Sequence, residues 1–599
     1  MASESTPLHQ HHPHTAYLQE ASTGTAGVVV EGIVGDEDSL YNKLAPEEYG
    51  ATEQQTESSG GTAGLAAGTA GTAGKTRSIH SATVEPLSPA QLKWVVGSLW
   101  CGAFLAALDS TVVTTLLTTI ASDMDAIGNI AWIATAYLLS CSAFQPIYGK
   151  LSDIFGRKPL LVMCTVFFGL GCAICVTNNL WVLVVGRFIT GIGGSGLTTL
   201  GTITMLDLIP LRDRGLYQGL ANIFYGLGAA SGGIIGGVVA DTLGWQYVFI
   251  LQIPLCIIVG CAIYFNLQLP EGSPGLGVHG DDMKQKLKRV DFLGSLFLVS
   301  ALMVILTAAS LGGSTIPFAS VTFVALVILS VVLLGAFAYT ETYVSAEPII
   351  PIELLGERTI LSSSLTNWFQ TMAIFTYMFY LPVYYASVLG LSSTDSGLRL
   401  VPNFFGISFG SVGAGIYMKR TGTYYYFAII MGLLSIFGTL RIYNIQQSIP
   451  TWEQFTLMVP SGIGYSAMLT VTLLSLIAAV PVKYQACTTS IQYTFRSTGS
   501  TIGVSIGLAI FQKLLLSNLY NQVPQLIRDP EAATNIIKRA LENADYIKKA
   551  PPVVQQVLKD SYALACKGAF LFSLITIICG VVSSTFMKEH VLHSSLNRK

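Results

Sequence analysis

The sequence predicts an all-α polytopic membrane protein, and three observations support this prediction. Hydrophobic residues make up 51% of the 599-residue chain and charged residues only 11%, against about 25% charged in soluble domains. The mean hydropathy is +0.57. From residue 93 onward, apolar stretches recur that are each long enough to cross a hydrocarbon core of about 30 Å. These figures exclude disordered, collagen-like and disulfide-stapled secreted proteins.

The first 90 residues precede the apolar part and are expected to form a disordered, acidic, cytosolic tail. They hold 11 acidic and three basic residues and are rich in Gly, Ala, Thr, Ser and Glu, a composition that cannot bury a core. Tyr41 and Leu44 form a tyrosine-x-x-apolar string just after an acidic cluster. The string resembles an endosomal or vacuolar sorting signal, which would make sorting adaptors partners of this tail.

Fourteen apolar segments follow the tail, and each is predicted to be a membrane-spanning helix. In lipid only a helix satisfies its backbone hydrogen bonds within one segment. The predicted spans are 94–119, 130–149, 159–177, 180–204, 216–240, 246–267, 291–312, 317–340, 360–386, 397–418, 424–443, 454–480, 487–512 and 563–586.

Lysine and arginine are concentrated in every second loop, which predicts that these loops are cytosolic. With an even number of spans, both termini are then cytosolic. The basic residues are Lys150, Arg157, Lys158, Arg212, Arg214, Lys284, Lys286, Lys288, Arg289, Arg358, Lys419, Arg420 and Lys483. The loop 519–562 is also basic but falls on the lumenal side. Ile536, Ile537 and Leu541 give it an amphipathic pattern, and we expect this segment to lie on the membrane surface.

Histidine and cysteine, which often build metal and enzyme sites, form no cluster that would suit such a site in the predicted spans. All eight histidines lie outside the apolar segments, and the ten cysteines lie in or at the ends of them. Neither distribution favours a metal site, and no nucleotide-binding loop or nucleophile–base pair is evident. The sequence therefore predicts no enzyme, no cofactor and no nucleic-acid partner; the expected partners are the lipid bilayer, protons and a small cationic substrate.

Asp109 is the deepest carboxylate, about fifteen residues into the first span. A charge at that depth costs at least ~2.5 kcal/mol, so we expect it to face a polar cavity and exchange protons there. Arg187 in the fourth span is its natural electrostatic partner. A structural hydrogen-bonding role for Asp109 and an interfacial position for Arg187 are the alternatives.

Polar side chains inside other spans are the candidates for a substrate cavity. They are Asn222, Tyr225, Asn367, Gln370 and Tyr377. Asparagine and tyrosine also join helices to one another in membranes, so both interpretations stay open for each residue. Arg496 lies about nine residues into the thirteenth span, and the sequence assigns it no role.

The loop after the second span has the pattern G-x-L-x-D-x-x-G-R-[KR]-P. Gly149 and Gly156 allow a tight turn and close helix approach, while Asp153 can cap or pair with a neighbouring helix. Arg157 and Lys158 would hold the loop in the cytosol. A pattern this long exceeds what a basic turn needs, and it predicts a gating role.

These motifs resemble those of the major facilitator superfamily from about residue 93 to 586. The loop pattern is similar to the loop signature of that family, and Leu108–Val113 and Arg187–Gly194 are similar to the first- and fourth-helix motifs of its fourteen-span drug:proton antiporter branch. The fifth-helix antiporter motif is matched by Gly232, Gly233, Gly236 and Gly237, although the family usually has proline at position 233.

Three further segments are most like those of fungal vacuolar basic amino acid transporters, namely Trp132–Leu139, Phe144–Pro146 and Trp245–Pro254. The resemblance implies a 6+2+6 arrangement of fourteen helices. Its parts would be a tail (1–90), an N-terminal bundle (91–268), a linker with helices 7 and 8 (269–359), a C-terminal bundle (360–587) that includes the loop 519–562, and a cytosolic tail (588–599).

The function implied by the resemblance is proton-coupled antiport of lysine, arginine and histidine from the cytosol into the vacuole by alternating access. Export of drugs or toxic compounds at the plasma membrane is the first alternative. A non-transporting nutrient receptor that signals through its tail is the second.

Overall fold

The computed structural model describes residues 88–124, 131–269, 273–278, 282–312, 316–391, 393–527, 529–542, 547 and 550–592. The predicted sorting string at Tyr41 and Leu44, and nearly all of the predicted tail, lie outside these residues. Residues 81–599 belong to one compact unit.

Fourteen long helices cover the described residues, and each overlaps one predicted span. Their bounds are α1 Pro89–Asp123, α2 Ala131–Phe155, α3 Arg157–Cys175, α4 Leu180–Leu208, α5 Leu211–Thr242, α6 Gln246–Asn266, α7 Phe292–Leu311, α8 Val321–Tyr343, α9 Arg358–Ser387, α10 Val401–Thr421, α11 Tyr425–Tyr443, α12 Val459–Ala478, α13 Gln485–Leu526 and α14 Pro552–Ser584. Short helices lie at Met283–Lys288, Ile352–Gly356, Ser393–Leu398, Thr451–Thr456 and Pro530–Glu542, with 3₁₀ turns at Pro274–Leu276 and Val482–Tyr484.

Twelve helices of the described chain are long and apolar enough to cross a membrane. All the long helices except α2 and α9 supply a span of this kind. These two are long enough, at 25 and 30 residues, but polar side chains such as Gln145 and Asn367 lower their hydropathy. Because polar groups in a membrane helix face protein or water rather than lipid, both helices suit interior positions. The count of fourteen spans remains a prediction for α2 and α9.

The long helices pack as two groups with a hairpin between them along the chain. In the first group α1 packs on α5 and α4 packs on α2 and α3; in the second α9 packs on α13 and α14, and α12 packs on α10 and α11. The groups meet where α5 contacts α10 and where α2 contacts α13. Helices α7 and α8 pair with each other, and α7 also contacts both α2 and α13.

The basic amphipathic segment, which is expected on the membrane surface, packs its apolar face against protein. Helix α13 has 42 residues, a length of about 63 Å, and so projects well past a ~30 Å core. The cap helix, Pro530–Glu542, buries Ile536 and Ile537 in one cluster with Leu519 and Val523 of that projection. The amphipathic pattern is the same for a lipid surface and for a protein surface, which is why sequence could not separate them. The side chain of Leu541 lies outside the described residues.

Candidate functional site

A central cavity of about 170 Å³ lies between the two helix groups. Helices α1, α2, α4 and α5 line it from one group, and α9 and α13 from the other. Its wall is built from small and polar side chains together with Tyr137, Tyr225, Tyr493 and Arg496. A smaller side pocket of about 10 Å³ shares Asn222 and Arg496 with the cavity and extends between α5, α9, α12 and α13.

Asp109 and Arg187 form a buried ion pair beside this cavity. One guanidinium nitrogen, Nη1, donates to both carboxylate oxygens of Asp109, at 2.9 and 2.7 Å. The side chains are 0% and 1% exposed, respectively. Neither residue lines the cavity. The ring of Tyr137 does line it, and the guanidinium carbon of Arg187 lies 4.4 Å from the centre of that ring. Tyr137 therefore separates the ion pair from the cavity.

The five residues predicted for the cavity fall into two sets. Asn222 and Tyr225 line the central cavity, and Asn367 lines the side pocket. Gln370 and Tyr377 instead lie inside the second helix group. The Gln370 carbonyl accepts a 3.4 Å hydrogen bond from a serine of α11, and the Tyr377 hydroxyl lies 2.8 Å from that of a serine of α12.

Two glycines of the predicted antiporter motif, Gly232 and Gly236, let α5 approach α1, the helix that carries Asp109. A Cβ on Gly232 would collide with Thr111, and one on Gly236 would lie 3.3 Å from Val112. Gly237 has no neighbour within 4 Å of such a Cβ, and Gly233 is partly exposed. Close packing of small residues is a usual way for membrane helices to associate.

The predicted gating loop forms a charged network at the ends of α2, α3 and α4. Gly156 has a φ of 94° at the turn between α2 and α3, a conformation that glycine adopts at little cost. The next residue, Arg157, is 2% exposed and contacts Asp153 at 2.7 Å and Asp207 at 3.0 Å. Asp207, near the end of α4, is not among the residues predicted from sequence, and only the packing of α3 against α4 brings it to this network. Lys158 lies 5.2 Å from the ring centre of Tyr264.

The two helix groups meet closely on the side of the protein that carries the basic loops, here called the basic side. A Cβ on Gly149 of α2 would lie 2.6 Å from the carbonyl oxygen of Ala486 in α13. Arg212, at the start of α5, donates hydrogen bonds to the backbone carbonyls of Lys419 and Arg420 at the end of α10. These contacts close the cavity toward the basic side.

A second charged cluster ties the linker to α2 on the same side, here called the linker bridge. Glu347, between α8 and α9, lies 2.9 Å from Lys150 and 2.7 Å from Arg289. Partial burial raises the pKa of Glu347, but the hydrogen bonds and positive charges of Lys150 and Arg289 outweigh it and hold the pKa below its usual value. The bridge lines a separate cavity of about 260 Å³.

Comparison with known proteins gives the family. Residues 99–504 match the Major Facilitator Superfamily model. The chain is 34% identical to "Multidrug resistance protein fnx1" of Schizosaccharomyces pombe, over 84% of this chain and 94% of that protein. It is 30% identical to "Vacuolar basic amino acid transporter 1" of Saccharomyces cerevisiae, over 84% of this chain and 93% of that protein.

Among solved structures, the proton:xylose symporter XylE aligns with a TM-score of 0.56 at 12% identity, over 85% of this chain and 99% of that one. This similarity shows a shared fold. Together with the family match and the identity to full-length fungal relatives, it establishes that the chain is a multi-pass membrane transporter that belongs to the major facilitator superfamily.

Proposed function

We propose that this transporter is a proton-coupled antiporter that moves basic amino acids from the cytosol into the vacuole. The observation that carries the proposal is the buried Asp109–Arg187 pair, one aromatic ring away from the central cavity. A relative named as a vacuolar basic amino acid transporter supports the substrate and the compartment.

The ion pair supplies a site where one proton changes the charge beside the cavity. With Asp109 ionised, its charge cancels that of Arg187, and a positively charged substrate meets no net repulsion from the pair. With Asp109 protonated, Arg187 adds one uncompensated positive charge in a region where charges interact strongly. Protonation and a cationic substrate then exclude each other, which is the condition for antiport.

For the proton gradient to drive substrate transport, the Asp109–Arg187 pair and the cavity must open to one side of the membrane at a time. The structure is closed on the basic side, which the charge rule places in the cytosol. In this state Tyr137 shields Asp109 from the cavity. Rocking of one helix group against the other, with movement of Tyr137, would open the pair to protons from the acidic lumen and the cavity to substrate from the cytosol.

The size of the cavity favours a small solute. Its volume of about 170 Å³ is below the roughly 300–1,000 Å³ of pockets that hold drug-sized ligands. Export of toxic compounds remains the second candidate because another relative is named a multidrug resistance protein. A fluorescently tagged chain at the vacuolar membrane would favour the first function, and one at the plasma membrane the second.

The decisive test is the variant Asp109→Asn in vesicles that contain the purified protein. We expect it to lose both pH-gradient-driven uptake of arginine and exchange of labelled for unlabelled arginine, since the neutral amide mimics protonated Asp109 and leaves the positive charge of Arg187 uncompensated. Asp123→Asn is the matched control, because Asp123 is an exposed carboxylate at the end of the same helix and the amide oxygen of asparagine can still accept the hydrogen bond from Trp245 Nε1. Undiminished gradient-driven uptake in Asp109→Asn would remove the proton role.

A further inference from the structure

Arg496 is a positive charge in the wall of the central cavity that the proposed proton chemistry does not use. It lies in the twelfth position of α13 and borders both the cavity and the side pocket. Its guanidinium carbon is 5.9 Å from the ring centre of Tyr225 and 6.0 Å from that of Tyr493. These rings hold the guanidinium at the junction of the two spaces.

The described residues provide no carboxylate for this cation. Arg157 and Arg187, both fully buried arginines, contact aspartates within 3.0 Å, whereas no ion pair within 4.0 Å among the described residues involves Arg496. Among the described residues that line the cavity, Arg496 is the one with a formal charge. Arg496 is partly exposed to the cavity, and its planar guanidinium is shaped to take a carboxylate with two parallel hydrogen bonds.

The side pocket presents hydrogen-bond acceptors, whereas Arg496 is a hydrogen-bond donor with a positive charge. The carbonyl oxygens Oδ1 of Asn367 and Oε1 of Gln492 are buried without a hydrogen-bond partner, and both residues line this pocket. The side chains are only 2% and 4% exposed. Buried acceptors of this kind normally have a donor. At about 10 Å³, the pocket accepts one water-sized group, and a primary ammonium is such a group with three donors.

We propose that these groups form a binding site for the head group of a free α-amino acid. Arg496 binds the carboxylate, Asn367 and Gln492 accept from the α-ammonium, and the substrate side chain extends into the central cavity toward Tyr137. The proposal rests on the proposed function and sharpens it. The substrate carboxylate neutralises the positive charge of Arg496 in the cavity wall. A cationic solute without a carboxylate is repelled by that charge and binds more weakly.

The test compares arginine with agmatine, which is arginine without its carboxylate, and with argininamide, in which the carboxylate is a neutral amide. The full chain is purified, and binding is measured by ligand-induced thermal shift and by competition against labelled arginine uptake in vesicles. We expect both analogues to bind about 10- to 100-fold more weakly than arginine, the range of one charge-assisted interaction.

The variant Arg496→Gln should bind arginine about 10- to 100-fold more weakly while its affinity for agmatine does not fall. Arg496→Lys keeps the charge without the paired geometry and should lie between Arg496→Gln and the unmodified protein. Lys513→Gln, which removes an exposed cation farther along α13, should leave both affinities unchanged. If Arg496→Gln does not fold, the analogue comparison on the unmodified protein and the lysine variant still decide the question.

Two comparisons of arginine with agmatine would overturn the head-group site: equal binding of both by the unmodified protein, or an equal loss of both ligands in Arg496→Gln. A failure of the proposed antiport function gives a different result from a failure of the head-group site. A protein that discriminates arginine from agmatine through Arg496 but shows no pH-driven uptake would keep the site and refute the antiport. A protein that binds no α-amino acid, basic or neutral, would refute the site.

Discussion

Replacing Gly149 with alanine should open the transporter on its basic side. The new methyl group would lie 2.6 Å from the Ala486 carbonyl oxygen and 2.7 Å from Ser490 Oγ, and ordinary contact begins at 3.4 Å. Because the carbonyl oxygen belongs to the backbone of α13, the two helices must separate by roughly 0.8 Å, the difference between 2.6 and 3.4 Å. Only the state that is closed on the basic side suffers this clash.

The size of the effect follows from the cost of overpacking. An extra methyl group in a tightly packed contact costs about 1–3 kcal/mol, and that range corresponds to about a 5- to 150-fold shift in a two-state equilibrium. The shift favours opening toward the basic side. Uptake should slow, since the transporter must return to the closed state in every cycle.

Cys141 is a native reporter of this equilibrium because it lines the central cavity and is a free thiol. In a chain whose other cysteines are replaced, a membrane-impermeant thiol reagent should label Cys141 faster from the basic side in Gly149→Ala. Gly413→Ala is the control, since a Cβ there meets nothing within 4 Å. Unchanged labelling from both sides in a folded Gly149→Ala protein would refute the role of this contact in closure.

Three further predictions concern stability and are checked by thermal melting of the purified protein. Arg157→Gln should destabilise it by about 3–5 kcal/mol, because Asp207, only 9% exposed, is left without its cation. Glu347→Gln should cost at most about 1 kcal/mol near pH 7. Since the folded pKa of Glu347 is lowered, this cost should begin to fall near the unfolded pKa of about 4.3 and vanish as the pH falls through the lower folded pKa, and a cost that does not fall in acid would contradict the linker bridge. Ile537→Ala should cost about 2–5 kcal/mol because Ile537 is 2% exposed on the buried face of the cap helix, whereas Lys538→Ala, at an exposed neighbour, should be nearly neutral.

The positions of the helices could be predicted from sequence because a lipid environment leaves few choices. An apolar run of about 20 residues must be a helix there, and this holds even for α2 and α9, whose polar residues lower their hydropathy. The direction in which each side chain points could not be predicted in this way. Asn222 and Gln370 both carry an amide side chain, yet Asn222 lines the cavity and Gln370 joins two helices, because the interior faces of the helices include both kinds of position.

The proximity of Asp109 and Arg187 followed from elimination, since few charges lie deep in the spans. The isolation of Arg496 could not be foreseen in the same way. It depends on where the carboxylates of every other helix end up, and a single sequence does not contain that three-dimensional arrangement. The same limit applies to Tyr137, whose place between the ion pair and the cavity depends on how α2 and α4 pack.

The position of α7 has a consequence for solutes that arrive dissolved in the bilayer. Two seams run between the helix groups, one where α2 meets α13 and one where α5 meets α10. Because α7 lies against both α2 and α13, the inserted hairpin packs against the first seam, whereas α12, a member of the second helix group, lies against both α5 and α10. A lipophilic compound that enters between α2 and α13 beside the hairpin would therefore have to displace α7, whereas entry between α5 and α10 leaves the hairpin in place.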